Sequence, residues 1–507
     1  MALLAIPSRA AVEQKKKLTD EQAPIVASSA PFIVVNAYAG TGKTSTLKFY
    51  TESRPKKKFL YVAFNKALQI EAERKFGENT VCRTTHALAF PDFGKNYSNK
   101  LGNVKAIDIA RKFSVSYDLA RQAIDTVQNY LASTQQQLSD FHVRDAGLSS
   151  FPVMAVVDVA RKTWADMMDV NGELLMPHDG YLKLYANSVP DLSRRFDTIL
   201  FDEAQDANPV TNHIIRSQKR AQIIMVGDRF QSIYAFRGAR NAMEQVEAEA
   251  EKHYLTRSFR FGKGIALVAS RLLQDFRGAT KSIVGAGQYQ DTRFIVAKGD
   301  PYAKLCRTNG MIFRNAVDFL SSRTPLMLVG GVDNYNFEAI LDVYRLFAGQ
   351  RKDIRDSFIK KLESFEDAAE YAEQTEDAQL RSMIKVVEEY RHDIPRLYER
   401  LKTEILPDTE LGKKRAHVTM TTAHRSKGLE WKQVVLENDF SDLVDDKGDL
   451  LPVTTTEEEQ EINLLYVAIT RAEQALEPSA GLMAYLNPET LVDKKNHGHR
   501  RSQSKKG

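Results

Sequence analysis

Short runs of apolar, mostly β-branched residues recur along the chain and end in charged or glycine-rich segments. They predict buried strands at Phe32–Asn36, Phe59–Ala63, Thr198–Phe201, Ile223–Val226, Val418–Thr421 and Val434–Leu436. Each run is followed by a helical pattern, and apolar strands alternating with helices are typical of parallel sheets that are covered on both faces. The runs fall into two groups, so we predict two α/β domains.

Two stretches of amphipathic helical pattern interrupt these groups. Apolar residues at three- and four-residue spacing predict helices at Ala106–Phe113, Tyr117–Leu131 and Val153–Met168, and later at Phe337–Phe347, Phe365–Glu373 and Leu380–Leu401. We therefore expect a first domain in residues 1–100 and 186–253 with a helical insertion at 101–185. The second domain is expected in residues 254–315 and 411–480 with a reduced helical insertion at 316–410.

The first run leads directly into a segment with the sequence of a phosphate-binding loop, although Ala37 stands where the strict pattern has its first glycine. Gly40 and Gly42 let backbone N–H groups approach phosphate oxygens, and the following helix turns its unpaired N–H groups toward the same anion. Lys43 neutralises phosphate charge and the Thr44 hydroxyl is a ligand for Mg²⁺. The residues expected to bind ATP here are Ala39, Gly40, Thr41, Gly42, Lys43, Thr44 and Ser45.

The run Thr198–Phe201 ends in two adjacent acidic residues, Asp202 and Glu203. Acids at the end of a buried strand, downstream of a phosphate loop, are typical of metal-dependent nucleotide hydrolysis. We expect Asp202 to hold the metal, directly or through water, and Glu203 to orient and deprotonate the attacking water. The sequence thus predicts a site that hydrolyses ATP with Mg²⁺.

Composition changes this picture little. A net charge of +5 favours nucleic acid only weakly, and no apolar run approaches the ~20 residues that span a bilayer, so we expect no membrane partner. Two cysteines, Cys82 and Cys306, are too few for a zinc or iron–sulfur site and indicate a reducing compartment. Residues 481–507 form a basic segment that we expect to be disordered, either as a solubilising tail or as an arm for phosphate backbones.

Several segments resemble the motifs of superfamily 1 helicases of the UvrD/Rep/PcrA type, in the order that this family has them. They are Asp202-Glu203-Ala204-Gln205-Asp206 and the ranges 226–239, 421–430 and 463–472. The resemblance covers about residues 18–476 and implies an α/β fold with two RecA-like parallel-sheet motor domains, each with a mainly helical insertion. It also implies an ATP-driven DNA helicase.

Within this group, the ranges 61–66, 178–184 and 258–262 are most similar to the helicase region of F-box DNA helicases. Only seventeen residues precede Leu18, so we expect no F-box and no ubiquitin-ligase role.

The resemblance also implies a role for individual side chains around the nucleotide. Gln22 would read the adenine edge, Phe259 would stack on adenine, and Glu430 would lie near the ribose. Gln231 would sense the γ-phosphate. Arg260 and Arg471 would come from the second motor domain, since a guanidinium pairs with phosphate through two hydrogen bonds. The expected catalytic set is Lys43, Asp202, Glu203, Gln231, Arg260 and Arg471.

Contacts to DNA are expected across both motor domains, on the side opposite ATP. Aromatic side chains stack on any base, which suits a protein that moves along a strand. The expected stacking residues are Phe64, Tyr234 and Phe236, and the expected backbone contacts are Thr84, His86, Thr422 and His424. An aromatic side chain after a strand can equally belong to the core, and the histidines can brace a loop.

Three functions are compatible with the sequence. The first is a helicase that moves 3′-to-5′ on single-stranded DNA and opens tailed or forked duplexes in repair, recombination or replication; the polarity follows from the resemblance alone. The second is a translocase that strips proteins such as recombinase filaments from DNA. The third is a motor or sensor subunit of a nuclease or defence complex. We expect a monomeric motor with a possible protein partner. Its location is expected to be cytoplasmic and associated with the nucleoid if the protein is prokaryotic or viral, and nuclear if it is eukaryotic.

Overall fold

The computed structural model describes residues 18–144, 151–233, 243, 249–356, 358–375 and 377–487. The first part of the fold contains, in chain order, α1 (Gln22–Ala27), β1 (Phe32–Ala37), α2 (Lys43–Glu52), β2 (Phe59–Ala63), α3 (Lys66–Lys75), β3 (Thr80–Thr84), α4 (Thr85–Ala89), α5 (Ala106–Phe113), α6 (Tyr117–Leu131), α7 (Val153–Met168), α8 (His178–Asn187), β4 (Thr198–Phe201), α9 (Pro209–Arg216), β5 (Gln222–Gly227) and β6 (Glu251–Leu255).

The second part contains β7 (Arg257–Ser258), α10 (Lys263–Arg277), β8 (Val284–Gly285), β9 (Tyr302–Cys306), α11 (Asn309–Ser321), β10 (Leu326–Leu328), α12 (Phe337–Phe347), α13 (Phe365–Gln374), α14 (Ala378–Tyr390), α15 (Ile394–Glu404), α16 (Glu410–Arg415), β11 (Val418–Thr422), β12 (Trp431–Leu436), α17 (Thr456–Ile469), β13 (Ala472–Glu477) and α18 (Ala480–Leu486). Within the described residues, no helix is long and apolar enough to cross a bilayer.

The strands form two parallel sheets, which confirms the predicted α/β class. The first sheet has six strands in the order β3-β2-β4-β5-β1-β6, and the second has five in the order β10-β11-β9-β12-β13. We call the elements from α1 to β6 the first domain and those from β7 onward the second domain. Because β1, β4 and β5 are neighbours and parallel, the loops that follow them meet at one edge of the first sheet.

Side chains of the first sheet alternate between two apolar layers, as the period of a strand requires. Val34 packs with the layer formed by the helical insertion, whereas Ile33 and Val35 pack with α1 and α2 on the other face. All three side chains are fully buried. Burial on both faces explains why these strands read as continuous apolar runs in the sequence.

Most of the predicted elements are confirmed with small changes of boundary. The helices predicted at Ala106–Phe113, Tyr117–Leu131, Val153–Met168 and Phe337–Phe347 have these bounds in the structure. The single helix predicted for Leu380–Leu401 is wrong. Helix α14 ends at Tyr390, Arg391 adopts a φ of 44°, and α15 begins at Ile394. Pro395, in the first turn of α15, has no backbone N–H, so an unbroken helix through this point would lose a hydrogen bond.

The second sheet contains three strands that the apolar pattern does not reveal: β9, β10 and β13. Strand β13 is rich in Ala, Glu and Gln, which favour helices, yet it pairs with β12 with Val434 opposite Leu476. Its pairing is therefore imposed by tertiary context rather than by local preference. Strand β10 lies inside the range 316–410 that was expected to form the insertion.

A shared apolar cluster joins the two domains. Tyr38 and Phe230 of the first domain belong to the same buried cluster as Phe261, Ile265 and Val467 of the second. The rings of Tyr38 and Phe230 stack with centroids 6.0 Å apart. The cleft between the domains is thus closed around the end of β1 in this structure.

The chain crosses from the first domain to the second directly after β6, and Glu21 fixes this crossing. Its carboxylate accepts hydrogen bonds from the backbone N–H groups of Thr256 at 2.9 Å and Arg257 at 3.2 Å. The Thr256 hydroxyl donates to the same carboxylate. The connection between domains is therefore anchored to the residue that precedes α1.

Helix α8 carries a buried amine in the first insertion. Lys183 is 1 % exposed, donates to the carbonyl of Ser133 at 2.6 Å, and lies 4.4 Å from the centre of the Tyr130 ring. Burial lowers the pKa of Lys183 to about 8, because the charged form loses its hydration.

We expect this amine to make stability depend on pH. Between about pH 8 and the ordinary lysine pKa of about 10.4, the unfolded chain holds a proton that the folded chain has released, so stability rises with pH. In Lys183→Met this contribution is absent. The melting temperature of the wild type relative to Lys183→Met should therefore increase from pH 7.5 to pH 9.5. Replacement of the exposed Lys162 by Met is the matched control, and an equal pH response in both variants would contradict the assignment.

Candidate active site

The phosphate loop lies between β1 and α2, against a segment of the second domain. Gly40 and Gly42 have φ values of 72° and 80°, which side chains with a Cβ rarely adopt. The carbonyl of Gly40 accepts the N–H of Phe259 at 2.8 Å. A Cβ on Gly40 would lie 2.7 Å from the Cβ of Arg260 and from Ser258 Oγ. Glycine is therefore required here for both backbone conformation and space.

Two contacts link the start of α2 to the acids that follow β4. Lys43 Nζ lies 3.0 Å from Glu203 Oε2, and the Thr44 hydroxyl donates to Asp202 Oδ2 at 2.9 Å. The Tyr61 hydroxyl donates to the same oxygen of Asp202 at 2.8 Å. The structure thus brings together the predicted phosphate-binding lysine, the predicted metal ligands and the predicted base.

The pKa values of these two acids shift in opposite directions, although burial raises both. Burial would raise the pKa of Glu203, but Lys43 and then Lys427 outweigh it and lower the value to about 2. Burial raises the pKa of Asp202, and the neighbouring charge of Glu203 adds to the shift. Glu203 also has a φ of 53°, a conformation that costs a non-glycine residue energy and is common at functional sites.

Thr44 and Asp202 fit the magnesium that accompanies a nucleotide. Both offer oxygen atoms, and the hydrogen bond between them shows that the two oxygens already converge on one point. Magnesium in nucleotide sites keeps several waters and takes only one or two protein ligands. The described residues contain no cluster of three or more His, Cys, Asp or Glu side chains with metal-binding geometry.

A hydrogen-bond network connects the site to the second domain. Gln205 donates to Glu203 at 2.7 Å and accepts the N–H of Asp228 at 3.0 Å. Gln231 donates to Asp228 Oδ2 at 2.8 Å, and the Tyr466 hydroxyl donates to the same oxygen at 2.8 Å. Tyr466 also accepts the N–H of Ala39 in the phosphate loop at 3.0 Å. One hydroxyl of the second domain therefore bridges two segments of the first.

A second bridge between domains is an ion pair. Lys427, in the loop after β11, contacts Asp206 Oδ2 and donates to the carbonyl of Gln231 at 2.6 Å. Burial raises the pKa of Asp206 to about 6, although Lys427 opposes the shift. Tyr466, Asp206 and Lys427 lie inside the recognised motifs, but the resemblance implied no role for them. Their position in the sequence, among residues already expected to contact the nucleotide, could have identified them as functional residues.

The residues expected around adenine meet at the end of the phosphate loop. A Cβ on Gly42 would lie 3.5 Å from Gln22 Nε2 and 3.9 Å from the Phe259 ring. Gln22 is held in place by donating to Thr46 Oγ1 at 3.1 Å and accepting from the Thr19 N–H at 3.1 Å. Phe259 is 47 % exposed, so its ring has a face open to solvent beside the loop.

Both predicted arginines are held by their own domain. Arg260 pairs with Glu430 at 2.7 Å and donates to the carbonyl of Thr470 at 3.1 Å. Arg471 is 1 % exposed and donates to the carbonyls of Val467 and Leu429 at 2.9 and 3.1 Å. Burial, aided by the charge of Arg260, lowers the pKa of Arg471 to about 9, so the guanidinium stays charged at neutral pH.

The residues expected to contact DNA lie where strands end. Phe64 is exposed and directly follows β2, Thr84 ends β3 and caps α4, and His86 lies in α4. Thr422 ends β11 and is buried, whereas His424 is half-buried in the loop that follows. Tyr234 and Phe236 lie outside the described residues. The structure therefore gives both domains candidates at the carboxyl ends of their strands, and the loop that follows Thr422 carries both His424 and Lys427.

We expect the Tyr466 hydroxyl to be needed for turnover. Tyr466→Phe removes an acceptor from Ala39 and a donor from Asp228, and leaving buried polar groups without a partner costs about 1–3 kcal/mol. The ATPase rate should fall because the phosphate loop and the domain interface lose the same contact.

Tyr485→Phe is the matched control for this variant. Tyr485 is equally buried in the second domain, and its hydroxyl donates to Asp275 at 2.6 Å. Both variants should melt earlier, but only Tyr466→Phe should hydrolyse ATP slowly. Equal ATPase rates in the two variants would show that the bridge is structural only.

The chain is similar to two family models and to proteins of known family. A model of the UvrD/REP helicase N-terminal domain matches residues 56–249, and a model of the UvrD-like helicase C-terminal domain matches residues 181–480. F-box DNA helicase 1 of Gallus gallus is 32% identical over 92% of this chain and 49% of its own length. F-box DNA helicase protein 1 of Schizosaccharomyces pombe is 30% identical over 91% of this chain and 57% of its own length. The chain thus spans about half the length of these relatives, and it belongs to the UvrD-like helicase family.

Proposed function

We propose that this chain is an ATP-dependent DNA helicase that translocates 3′-to-5′ along single-stranded DNA. The observation that carries the proposal is the network that joins Lys43, Glu203, Gln205, Asp228 and Tyr466 across the two domains. A nucleotide bound at the phosphate loop would touch this network on one side and the second domain on the other. Binding and hydrolysis of the nucleotide would then alter the contacts between the two domains.

Binding of a nucleotide would disturb the ion pair between Lys43 and Glu203. Phosphate oxygens compete with Glu203 for the ammonium of Lys43, since both are anions within reach of the same cation. Released from the ion pair, the Glu203 carboxylate can accept a proton from water. Mg²⁺, held by Thr44 and Asp202, would supply charge neutralisation at the phosphates.

The second domain would complete the site through Arg260 and Arg471. Burial is the largest cause of the lowered pKa of Arg471, and the nearby charge of Arg260 adds to the shift, so the two guanidinium groups are close enough to repel each other. An anion between them would relieve this repulsion. Charge that builds up on the transferred phosphoryl group in the transition state is such an anion.

One loop of the second domain would couple hydrolysis to the DNA strand. The loop begins after Thr422, a candidate DNA contact, and carries Lys427, which pairs with Asp206. It ends with Leu429, whose carbonyl accepts from Arg471, and Glu430, which pairs with Arg260. Movement of this loop would therefore shift the hydrogen bonds of Arg260 and Arg471 and the contact to the DNA strand at the same time.

Strand displacement tests the proposal. With ATP and Mg²⁺, the protein should open 3′-tailed and forked duplexes and leave 5′-tailed duplexes intact, with ATPase activity that rises with single-stranded DNA. The Lys43→Ala variant is the matched control, because Lys43 lies at the phosphate loop and should be needed for hydrolysis but not for DNA binding. Equal opening of 5′-tailed duplexes would refute the polarity, and ATPase unaffected by any DNA would refute translocation.

The same assay separates the leading function from the two alternatives. Removal of a recombinase filament without any duplex opening would replace the helicase by a protein-displacing translocase. Strand opening that appears only after a stable nuclease or recombination partner is added would favour a motor subunit of a larger complex.

We expect Arg471 to act mainly in the transition state. Arg471→Ala should slow ATP hydrolysis at saturating ATP much more than it weakens ATP binding, since an arginine finger is worth about 10³–10⁵ in rate. Arg471→Lys keeps a positive charge but loses the planar fork, so it should recover only part of the rate.

Arg307→Ala is the control for this series. Arg307 is a guanidinium of the same domain that pairs with Glu461 rather than with the nucleotide-site groups, and its removal should leave hydrolysis intact. Thermal melting separates misfolding from a loss of chemistry. A collapse of ATP affinity with normal turnover at saturation would contradict the proposed role of Arg471.

A further inference from the structure

The segment His178–Leu184 has no role in the nucleotide site, although it is one of the segments that resemble F-box DNA helicases. Its interior residues are explained by packing. A Cβ on Gly180 would lie 2.4 Å from Met176 Sδ, Tyr181 and Leu182 are buried in the core of the first domain, and Lys183 lies over Tyr130. His178 and Asp179, in contrast, are exposed at the start of α8. Packing in the core does not account for the presence of these two side chains.

Three partly exposed rings surround the buried ring of Tyr181. The centroids of His178, Phe90 and His86 lie 5.5, 5.9 and 6.1 Å from that of Tyr181, each with its ring at a steep angle to it. The rings of His86 and His178 are also neighbours, with centroids 6.3 Å apart. Because Tyr181 is fixed in the core, the three outer rings have a defined arrangement. We call His86, Phe90 and His178 the ring cluster.

Each member of the ring cluster is held by a specific contact. His86 Nε2 lies 3.0 Å from Asp179 Oδ1, and His178 Nδ1 lies 3.0 Å from the Tyr181 hydroxyl. A Cβ on Gly94 would lie 2.5 Å from the Phe90 ring, so the ring rests against backbone. The hydrogen bond from His86 lowers the pKa of Asp179, which keeps this carboxylate ionised as a partner for the His86 ring.

The ring cluster lies beside the expected path of the DNA strand. Strands β2 and β3 are parallel with Ala63 opposite Thr84, so Phe64 and α4 leave the same edge of the sheet. His86 lies in the first turn of α4, one residue after Thr85. A single DNA strand that contacts Phe64 and Thr84 would therefore reach the ring cluster next.

We propose that the start of α8 belongs to the strand-binding surface, with His178 contacting single-stranded DNA beside His86 and with Asp179 as the positioning residue for the His86 ring. The proposal deepens the proposed function and rests on it. Flat aromatic and imidazole rings stack on bases of any sequence, and an imidazole nitrogen can bind a backbone phosphate. A cluster fixed before DNA binds loses little side-chain freedom on contact.

Cysteine protection tests the position of His178 directly. The chain has only two cysteines, Cys82 and Cys306, and both are buried, so a thiol introduced by His178→Cys can be labelled selectively with a maleimide. An oligothymidine should protect this thiol from maleimide labelling. The protection should rise with oligothymidine concentration in the same way as the fraction of protein bound to it. Glu78→Cys is the control, because Glu78 is exposed at the opposite end of β3 and should be labelled with or without DNA.

Full labelling of the thiol at position 178 under saturating oligothymidine would overturn the proposal. Protection by blunt duplex DNA but not by oligothymidine would also overturn it, since the surface would then bind duplex. If the wild type binds oligothymidine with no rise in ATPase, the proposed function fails while this test still reports where the strand lies.

Fluorescence anisotropy with oligothymidine tests the two roles separately. His178→Ala should raise the Kd by about fivefold to tenfold, the scale of one lost stacking or backbone contact. Asp179→Ala should weaken binding, whereas Asp179→Asn should bind nearly as the wild type, because the amide oxygen can still accept from His86. Both Asp179 variants remove the same charge, so the difference between them reports the hydrogen bond alone.

A matched histidine–carboxylate pair provides the control for these variants. His253 Nε2 lies 2.6 Å from Glu251 Oε1 on β6, at the other edge of the same sheet. Glu251→Gln and His253→Ala should keep the wild-type Kd. An unchanged Kd in His178→Ala, or equal Kd values for Asp179→Ala and Asp179→Asn, would refute the corresponding role.

Discussion

The arrangement of the protein depends on four carboxylates at one edge of the first sheet, three of them buried and the fourth, Glu203, partly exposed. Asp202, Glu203, Asp206 and Asp228 follow neighbouring parallel strands, so the sheet itself brings them together. Buried negative charges require cations or hydrogen-bond donors. The first domain supplies Lys43, and the second supplies Lys427 and the Tyr466 hydroxyl. Closure of the two domains is therefore favoured by the same charges that prepare the site for a nucleotide.

These shared contacts imply that binding of a nucleotide with its metal would be coupled to the contact between the two domains. Glu203 is held by Lys43 through an ion pair and by Gln205 through a hydrogen bond that continues to Asp228. A new anion near Lys43 changes the balance of charge for the whole group. Since Asp228 is also a partner of Tyr466, the change reaches the second domain through contacts of ordinary hydrogen-bond length.

The sequence predicted the parts of the fold in which local pattern and burial agree. Strands buried on both faces, such as β1 and β4, stand out as apolar runs, and the amphipathic helices of the insertions have the expected period. Strand β13 was missed because its Ala-, Glu- and Gln-rich sequence favours a helix, and only its neighbour β12 makes it a strand. The break at Arg391 was missed because the apolar period continues across it.

The nucleotide site was predictable for a different reason. Lys43, Thr44, Asp202 and Glu203 are recognisable because their chemistry needs fixed spacing along the chain. Asp206 and Lys427 form a pair between residues more than two hundred positions apart, and no local pattern reveals such a partner. The same holds for Tyr181, which organises His86, Phe90 and His178 only after α4 and α8 have packed together.

The anchored crossing at Thr256 has a mechanical consequence. Glu21 fixes the chain where it leaves β6, so this point is a natural pivot for one domain turning against the other. The phosphate loop follows β1, which is the immediate neighbour of β6, whereas β3 is five strand positions away in the sheet order. At ~4.8 Å per strand, the far edge lies about 24 Å from the pivot. A rotation about this point would therefore displace the edge that carries His86 about five times as far as the phosphate loop. The sheet would then act as the arm of a lever.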